Sequence, residues 1–388
     1  SNTALGAMAG NSLSGSSSAN TLLGMQAGYS LLQSYGNTLV GYQAGGNGNT
    51  TVTERNTMIG HRAGTSLRGN NNVILGYDAG YMLSGSSSSN IIIGSGTGNV
   101  AADISYAVVI GNNAGYQLTG TADTASDNVI LIGYRAGRLF TSGSGNVVVG
   151  DDAFYSAGAR QYNTVMGSGA MYDATTASKN ISIGYQSLAN LTTGDSNVVI
   201  GYLAADSLTT GFKNIAIGES ALSSDDVGAG HIAIGGNALV NQNFASVNNE
   251  FEANISIGNK SSHNNTTGNM NVVIGTAAKY TDDEGNQTTA IGHQAMYSQN
   301  MASSTTTGNV GVGHKVGYYN VTGTGNTWLG YQAGVGASGN SNSSNVGIGY
   351  LALTSVTTGG SNVAIGTNAG NSLTSGASNI MIGNGVAT

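Results

Sequence analysis

Short apolar bursts recur along the chain at nearly constant intervals. Most bursts follow the pattern Asn-h-x-h-Gly, in which h is an aliphatic residue, methionine or threonine. The burst occurs 22 times, with the asparagine replaced at Ala107, Val129, His231 and Thr288, and 13 of the 21 intervals between successive glycines are 17 residues long. Alternation of apolar positions predicts a short β-strand, since a helix would need apolar residues about 3.6 positions apart. The pattern therefore predicts one strand in each repeat.

One repeat, "NVVIGYLAADSLTTGFK" at residues 197–213, shows the remaining features when its positions are numbered 1 to 17. Glycine at position 5 permits a turn, alanine at position 8 indicates a tight corner, and leucine at position 12 indicates a second wall of a core. A return turn such as "TTG" follows. These units predict an all-β protein, a parallel β-solenoid (β-roll) of about 22 coils that forms one repetitive domain over residues 1–388.

The alternation within the strand predicts which side chains face inwards. Positions 2 and 4 carry β-branched and large aliphatic residues, and we expect them to line the core. Position 3 would then point outwards, although it is apolar in many copies. An outward apolar row needs a partner, and a closed assembly of identical chains would bury it in every copy. The sequence therefore predicts a homotrimeric fibre, with these trimer-interface candidates: Val199, Trp328 and Met381.

Asparagine occupies position 1 in most copies. In a parallel stack these side chains lie above one another, so their amides can form a hydrogen-bonded ladder along the axis. The predicted ladder includes Asn20, Asn37, Asn197, Asn214, Asn326 and Asn362.

Composition narrows the possible functions. Charged residues are only 7% of the chain and cysteine is absent, so neither a disulfide framework nor a thiolate zinc site is expected. The formal charge of −7 comes without a basic stripe, which argues against a nucleic-acid partner. The chain has no apolar run long enough for membrane insertion. Because it begins and ends within repeats, we expect it to be a segment of a longer protein.

Ionisable residues are too sparse to predict a catalytic site or a cofactor, and we expect no enzymatic activity. His293 and His314 occupy position 6 of consecutive coils and are weak candidates for a metal site. A stacked ladder in which histidine replaces tyrosine is the simpler interpretation. Adjacent acidic residues, including Asp225-Asp226 and the run at 282–284, are of a type that hydrolyses glycosides or binds calcium, but consecutive side chains in a strand point apart. The run at 282–284 is interpreted as a solvated turn.

Irregular intervals predict loop insertions near residues 115–128, 241–252 and 297–308. The second contains Phe244 and Phe251 among polar residues, including Asn241 and Asn243. Exposed aromatic and amide groups suit contact with a sugar or receptor, so these four residues are the candidate binding site. Capping of a local core by the two phenylalanines is the alternative.

Two stretches, "SNVAIGTNAG" at 361–370 and "KNIAIGESA" at 213–221, resemble the head repeats of trimeric autotransporter adhesins. The longer unit with "SLTTG" between cores resembles repeats of bacteriophage tail fibres. The resemblance implies an extracellular, trimeric attachment fibre without enzymatic activity, located on a virion or a cell surface. Its partners would be two further copies and a host surface glycan or receptor. The alternative is a bacterial adhesin head that itself binds glycans or matrix. Ice binding is a third possibility, but the sequence lacks the regular lattice of threonines that it needs.

Overall fold

The computed structural model describes residues 1–46, 53–99, 104–119, 128–156, 158–244, 253–301 and 303–387. The chain divides into two units, Ser1–Asp195 (unit 1) and Ser196–Thr388 (unit 2). Each unit repeats the same coil and is described by itself.

The strands are short, as expected when each coil supplies only one apolar burst. In unit 1 they are β1 (Thr3–Leu5), β2 (Thr21–Leu23), β3 (Ser34–Tyr35), β4 (Thr38–Val40), β5 (Thr53–Glu54), β6 (Thr57–Ile59), β7 (Val73–Leu75), β8 (Ile91–Ile93), β9 (Val108–Ile110), β10 (Ile130–Ile132), β11 (Phe140–Ser142), β12 (Val147–Val149), β13 (Gly158–Ala159), β14 (Thr164–Met166) and β15 (Ile181–Ile183). In unit 2 they are β16 (Val198–Ile200), β17 (Ile215–Ile217), β18 (Ile232–Ile234), β19 (Ile255–Ile257), β20 (Val272–Ile274), β21 (Gly285–Asn286), β22 (Thr289–Ile291), β23 (Thr305–Thr306), β24 (Val310–Val312), β25 (Thr327–Leu329), β26 (Val346–Ile348), β27 (Val363–Ile365) and β28 (Ile380–Ile382).

Successive three-residue strands at positions 2–4 pair in parallel and in register. Val198 lies opposite Ile215, for example, and Ile200 lies opposite Ile217. Two-residue pairings, β3 with β5 and β21 with β23, add a second short wall in some coils. The predicted fold class is confirmed, because the chain is an all-β parallel solenoid of about 21 coils with a period of about 17 residues. No helix occurs among the described residues, so none of them belongs to a helix that could cross a membrane.

The asparagines at position 1 form a ladder inside the coils. Asn214 donates from its backbone nitrogen and from Nδ2 to Oδ1 of Asn197, at 2.9 and 3.2 Å. Its Nδ2 also donates to the carbonyl oxygen of Gly228 at 2.8 Å, which closes its own coil. The same amide–amide bond joins Asn20 to Asn2, Asn37 to Asn20, Asn326 to Asn309 and Asn362 to Asn345.

The glycine at position 5 is required by close backbone approach. Gly218 has φ of +135°, and a Cβ built on it would lie 2.6 Å from the carbonyl oxygen of Gly235 in the next coil. Both the left-handed backbone and this contact exclude a side chain. Conserving the pattern Asn-h-x-h-Gly along the chain therefore conserves the corner of each coil.

The structure reverses the predicted inner and outer faces of the strands. In the position 2–4 strands after β1, the central residue is buried and its neighbours are partly or fully exposed, as in β2, β16 and β28. Val199, Trp328 and Met381 are therefore core residues of their own chain, and their assignment to a trimer interface is corrected. The reason is the ladder: because the position 1 amide points inwards to close the coil, alternation directs position 3 inwards as well.

The interior is narrow, so a large residue at position 3 needs small neighbours. Trp328 is 1% exposed, and glycine occupies position 3 in the preceding and following strands, at Gly311 and Gly347. A Cβ on Gly347 would lie 2.7 Å from Cε3 of Trp328, and one on Gly334 would lie 2.4 Å from its Cδ2. Large and small side chains are thus matched from coil to coil.

Candidate functional site

Unit 2 contains a column of buried polar side chains at position 12, where most other coils have leucine. We call it the polar column, and its members lie in six consecutive coils: Asp225, Gln242, Asn265, Asp282, Gln299 and Asn320. In-register stacking places each of these side chains next to the one from the following coil. Burying such groups is costly unless each finds a partner, so their contacts determine what the column can do.

Lys279 occupies position 9 of the Asp282 coil and is fully buried beside the column. Its Nζ lies 3.1 Å from Oδ2 of Asp282 and 3.0 Å from Oδ1 of Asn265. Burial lowers the pKa of Lys279, against the opposing effect of the Asp282 carboxylate. The ε-amine is thus held between a carboxylate and a carboxamide from which water is excluded.

Asp282 is the most strongly hydrogen-bonded member of the column. Its Oδ1 accepts from the backbone nitrogens of Gly285 and Met301, both at 3.1 Å, and its Oδ2 accepts from Nε2 of Gln299 at 2.6 Å. Burial alone would raise the pKa of Asp282, but the Lys279 ammonium and the bond from Gln299 bring it below its usual value. The carboxylate form of this buried aspartate is therefore stabilised.

A second buried pair, Asp225 and His231, lies two coils earlier. His231 replaces asparagine at position 1, and its Nδ1 accepts the backbone N–H of Asn254 at 3.0 Å. This bond places the imidazole proton on Nε2, which lies 3.6 Å from Oδ2 of Asp225. Burial raises the pKa of Asp225 to about 7 and lowers the pKa of His231 to about 4, because both charged forms are desolvated.

Glutamines in the column repair the ladder where asparagine is missing. His231 offers no second acceptor to the amide of Asn254, and Gln242 Oε1 accepts from Asn254 Nδ2 at 3.0 Å instead. Thr288 is the second departure in unit 2. There, Gln299 Oε1 accepts from Nδ2 of the next ladder asparagine, Asn309, at 3.1 Å.

The predicted binding residues are only partly brought together. Phe244 is buried, and its ring stacks on His231 with a centroid distance of 5.4 Å, which corresponds to the alternative of a phenylalanine capping a local core. Asn241 donates from Nδ2 to the carbonyl oxygen of His263 at 3.0 Å, and Asn243 is exposed. Phe251 lies outside the described residues, as do 120–127, 245–252 and 302 of the three predicted insertions.

His293 and His314 stack on each other with ring centroids 5.2 Å apart and an angle of 11° between their planes. The ladder continues through Tyr331 and Tyr350 at 5.1 and 5.3 Å. Nitrogen lone pairs lie in the ring planes, so nearly parallel rings direct them side by side and not towards one ion. Among the described residues, no group of three or more histidine, aspartate or glutamate side chains is arranged to hold a metal ion.

Unit 1 contains a small surface cleft of about 200 Å³ next to the short β3–β5 pairing. Arg55 packs over the Tyr35 ring at 5.2 Å and bonds to its hydroxyl group. The cleft is lined by Ser16, Gln33, Ser34, Tyr35 and Glu54. It therefore combines one aromatic ring with several hydroxyl, amide and carboxylate groups.

The sequence contains a signal for the polar column in its departures from the repeat. Position 12 changes from leucine to a polar residue at Asp225 and stays polar for six coils. The interpretation of the run at 282–284 as a solvated turn is wrong for Asp282, which is buried, while Asp283 and Glu284 are partly exposed. The departure at position 12, together with Lys279 at position 9, would have identified the buried cluster.

Comparison with protein-family models gives no match for the chain. A search of curated proteins likewise finds no significant match.

Proposed function

We propose that this protein is the shaft of a trimeric attachment fibre, of the kind found in bacteriophage tail fibres, located outside the cell and used in host recognition. The observation that carries the proposal is a pair of exposed rows of side chains along the solenoid. We call them the outer rows: they consist of the first and last residues (positions 2 and 4) of each three-residue strand that spans positions 2–4. A rigid, non-enzymatic spacer needs an interior whose polar groups find their hydrogen-bond partners within the same chain. It also needs a surface by which chains associate.

The interior supports the first requirement. Ladder asparagines such as Asn214 bond both to a neighbouring coil and across their own coil, so one side chain stabilises the stack and the closure together. In unit 2 the two departures from the ladder, at His231 and Thr288, are compensated by Gln242 and Gln299. Such repetition favours a structural role over a site evolved for one ligand.

The outer rows support the second requirement. They expose aliphatic side chains in both units, which water solvates poorly. The more exposed members are Leu5, Leu23, Ile59, Ile91, Met166 and Ile181 in unit 1, and Ile200, Val310, Leu329, Ile365, Ile380 and Ile382 in unit 2. A partner that covers such rows must repeat once per coil, and a second copy of this chain has that repeat. The corrected inner and outer faces thus move the proposed trimer interface from position 3 to positions 2 and 4.

Sedimentation equilibrium of the purified chain tests this proposal. We expect a mass of three chains, and a mass of one chain for the double variant Leu329→Lys and Ile365→Lys, which places two charges on the outer rows. The control Asn300→Lys adds a charge at an exposed site off these rows and should remain trimeric. A single-chain mass for the unmodified protein at all concentrations would overturn the trimer.

The cleft of unit 1 favours a second candidate function, a cell-surface adhesin head that binds glycans directly. Saccharides are recognised by an aromatic ring together with side chains that donate and accept hydrogen bonds, and Tyr35, Gln33 and Glu54 offer both. A glycan array probed with the intact protein and with Glu54→Ala separates the two functions. Binding that the substitution abolishes supports the adhesin, whereas no binding by either protein supports a shaft that only spaces a tip.

A further inference from the structure

Lys279 forms a fully buried cluster with Asn265 and Asp282, and neither the ladder nor the coil requires a lysine there. Position 9 is glycine in many other coils and a buried apolar residue in several, such as Leu222, Leu239 and Met296, so a charged side chain is exceptional here. An ion pair in such a place contributes little net stability, because desolvation offsets the attraction. The cluster therefore calls for a chemical explanation.

We propose that Lys279 forms an intramolecular isopeptide bond with Asn265, and that Asp282 transfers the protons. The two contacts of the Lys279 Nζ, 3.0 Å to the carboxamide oxygen and 3.1 Å to the carboxylate, place nucleophile, electrophile and base within hydrogen-bond distance. Holding reacting groups together in this way replaces an encounter in solution and lowers the barrier. The bond would join two consecutive coils of unit 2.

Burial also prepares the amine to react. A lysine amine is nucleophilic only in its neutral form, and removal from water favours that form. Burial lowers the pKa of Lys279, and the adjacent Asp282 can take up the proton that the amine must lose. The carboxylate is already in place, held by the backbone nitrogens of Gly285 and Met301.

The reaction is balanced with these three side chains alone. A proton moves from Lys279 Nζ to Asp282 Oδ2, and the neutral amine then attacks Asn265 Cγ, so that an N–C bond forms and the carbonyl electrons move to Oδ1. Asp282 gives its proton to the amide nitrogen of Asn265 and takes one from the attacking nitrogen. The Cγ–Nδ2 bond then breaks and ammonia leaves. Asp282 returns to carboxylate by protonating the ammonia, so an ammonium group and a carboxamide become a secondary amide and ammonium.

Asn265 is the better acyl partner of the two. Asp282 accepts bonds from Lys279, Gln299 and two backbone nitrogens, which stabilise it as an anion and make it a poor electrophile. Asn265 is neutral, and its Nδ2 is fixed by donation to Gly268 O at 2.8 Å and to Gln242 Oε1. Its Oδ1 is thereby turned towards Lys279, and the hydrogen bond from the Lys279 Nζ polarises the Asn265 carbonyl.

Mass spectrometry of the denatured full chain tests the proposal directly. We expect the unmodified protein to be lighter than its sequence by one ammonia. Trypsin should fail to cut after Lys279 and should release residues 261–315 as one peptide, since no other lysine or arginine lies between 261 and 314. Because succinimide formation at any asparagine also releases ammonia, the position of the bond needs a second cleavage. Cyanogen bromide cuts after Met270, between the two linked residues, and should leave fragments 172–270 and 271–296 joined.

Variants separate the roles of the three groups. Lys279→Arg and Asn265→Ala should have their full sequence mass and give separate fragments, whereas Lys260→Arg, at an exposed lysine, should keep the ammonia loss and the joined fragments. Asp282→Asn should retain both reacting groups but remain unlinked, with fluorescence of Trp328 reporting that unit 2 is folded. Full sequence mass and cleavage after Lys279 in the unmodified protein would overturn the bond. Loss of one water in place of ammonia would overturn Asn265 as the acyl partner and point to Asp282. These measurements do not depend on the trimer or on receptor binding, so they can fail independently of the proposed function.

Discussion

Replacing one ladder asparagine by alanine should destabilise unit 2 far more than its size suggests. Asn214 is fully buried, and its side chain accepts from the backbone nitrogen of His231 at 2.9 Å and donates to the carbonyl oxygen of Gly228 at 2.8 Å. Asn214→Ala removes both partners, while Asn197 Oδ1 keeps its bond from the Asn214 backbone nitrogen. Two buried backbone groups are therefore left without a hydrogen bond.

An orphaned buried donor or acceptor costs about 1–3 kcal/mol, so the two together should lower the free energy of unfolding by roughly 2–6 kcal/mol. Urea unfolding followed by tryptophan fluorescence measures this change in unit 2, because the single tryptophan of the chain is Trp328 and is buried there. The matched control is Asn300→Ala, an exposed asparagine, which should change stability by less than about 0.5 kcal/mol.

Hydrogen exchange locates the effect. The backbone amide of His231 should exchange faster in Asn214→Ala than in the unmodified protein, since it loses its acceptor. Equal stability losses for Asn214→Ala and Asn300→Ala would refute the ladder as a source of stability. An unchanged exchange rate at His231 would show that this amide finds another partner.

Two further predictions concern backbone and charge. Gly218→Ala should strongly destabilise unit 2 in urea unfolding, because its φ is +135° and the new Cβ would meet the carbonyl oxygen of Gly235, whereas Gly15→Ala, with no atom within 4 Å of its Cβ, should be neutral. The buried pair gives pH dependences of opposite sign. The pKa of Asp225 is raised by folding to about 7, so with His231→Asn its contribution to stability is present below about pH 4 and is lost as the pH rises towards 7. The pKa of His231 is lowered to about 4, so with Asp225→Asn stability is present above about pH 6.5 and is lost as the pH falls towards 4. In the unmodified protein the two trends oppose each other, so the urea midpoint should change less between pH 4 and pH 7 than in either variant. A midpoint that changes with pH in the same direction in both variants would contradict the assigned pKa shifts.

The sequence alone determined the coil. A fixed spacing of Asn-h-x-h-Gly leaves few structures other than a parallel solenoid, because stacked copies bring identical positions together and only glycine fits the corner at position 5. The amide ladder followed from the same spacing, since Asn197 and Asn214 must lie above each other in any in-register stack. These features depend on residues within one repeat or on the same position in successive repeats, so the sequence of one repeat predicts the structure of the others.

Only the tertiary structure decided which face of the strand is inside and what the polar departures do. An alternating apolar strand has two apolar faces here, and the choice depends on the inward amide of position 1 closing the coil, a contact made across fourteen residues. The contacts of Lys279 with Asn265 and Asp282 depend on where positions 9 and 12 of neighbouring coils meet in the interior. The sequence pattern shows the position of each residue within its own repeat. The burial and the chemistry of that residue depend on the side chains that the neighbouring coils place beside it.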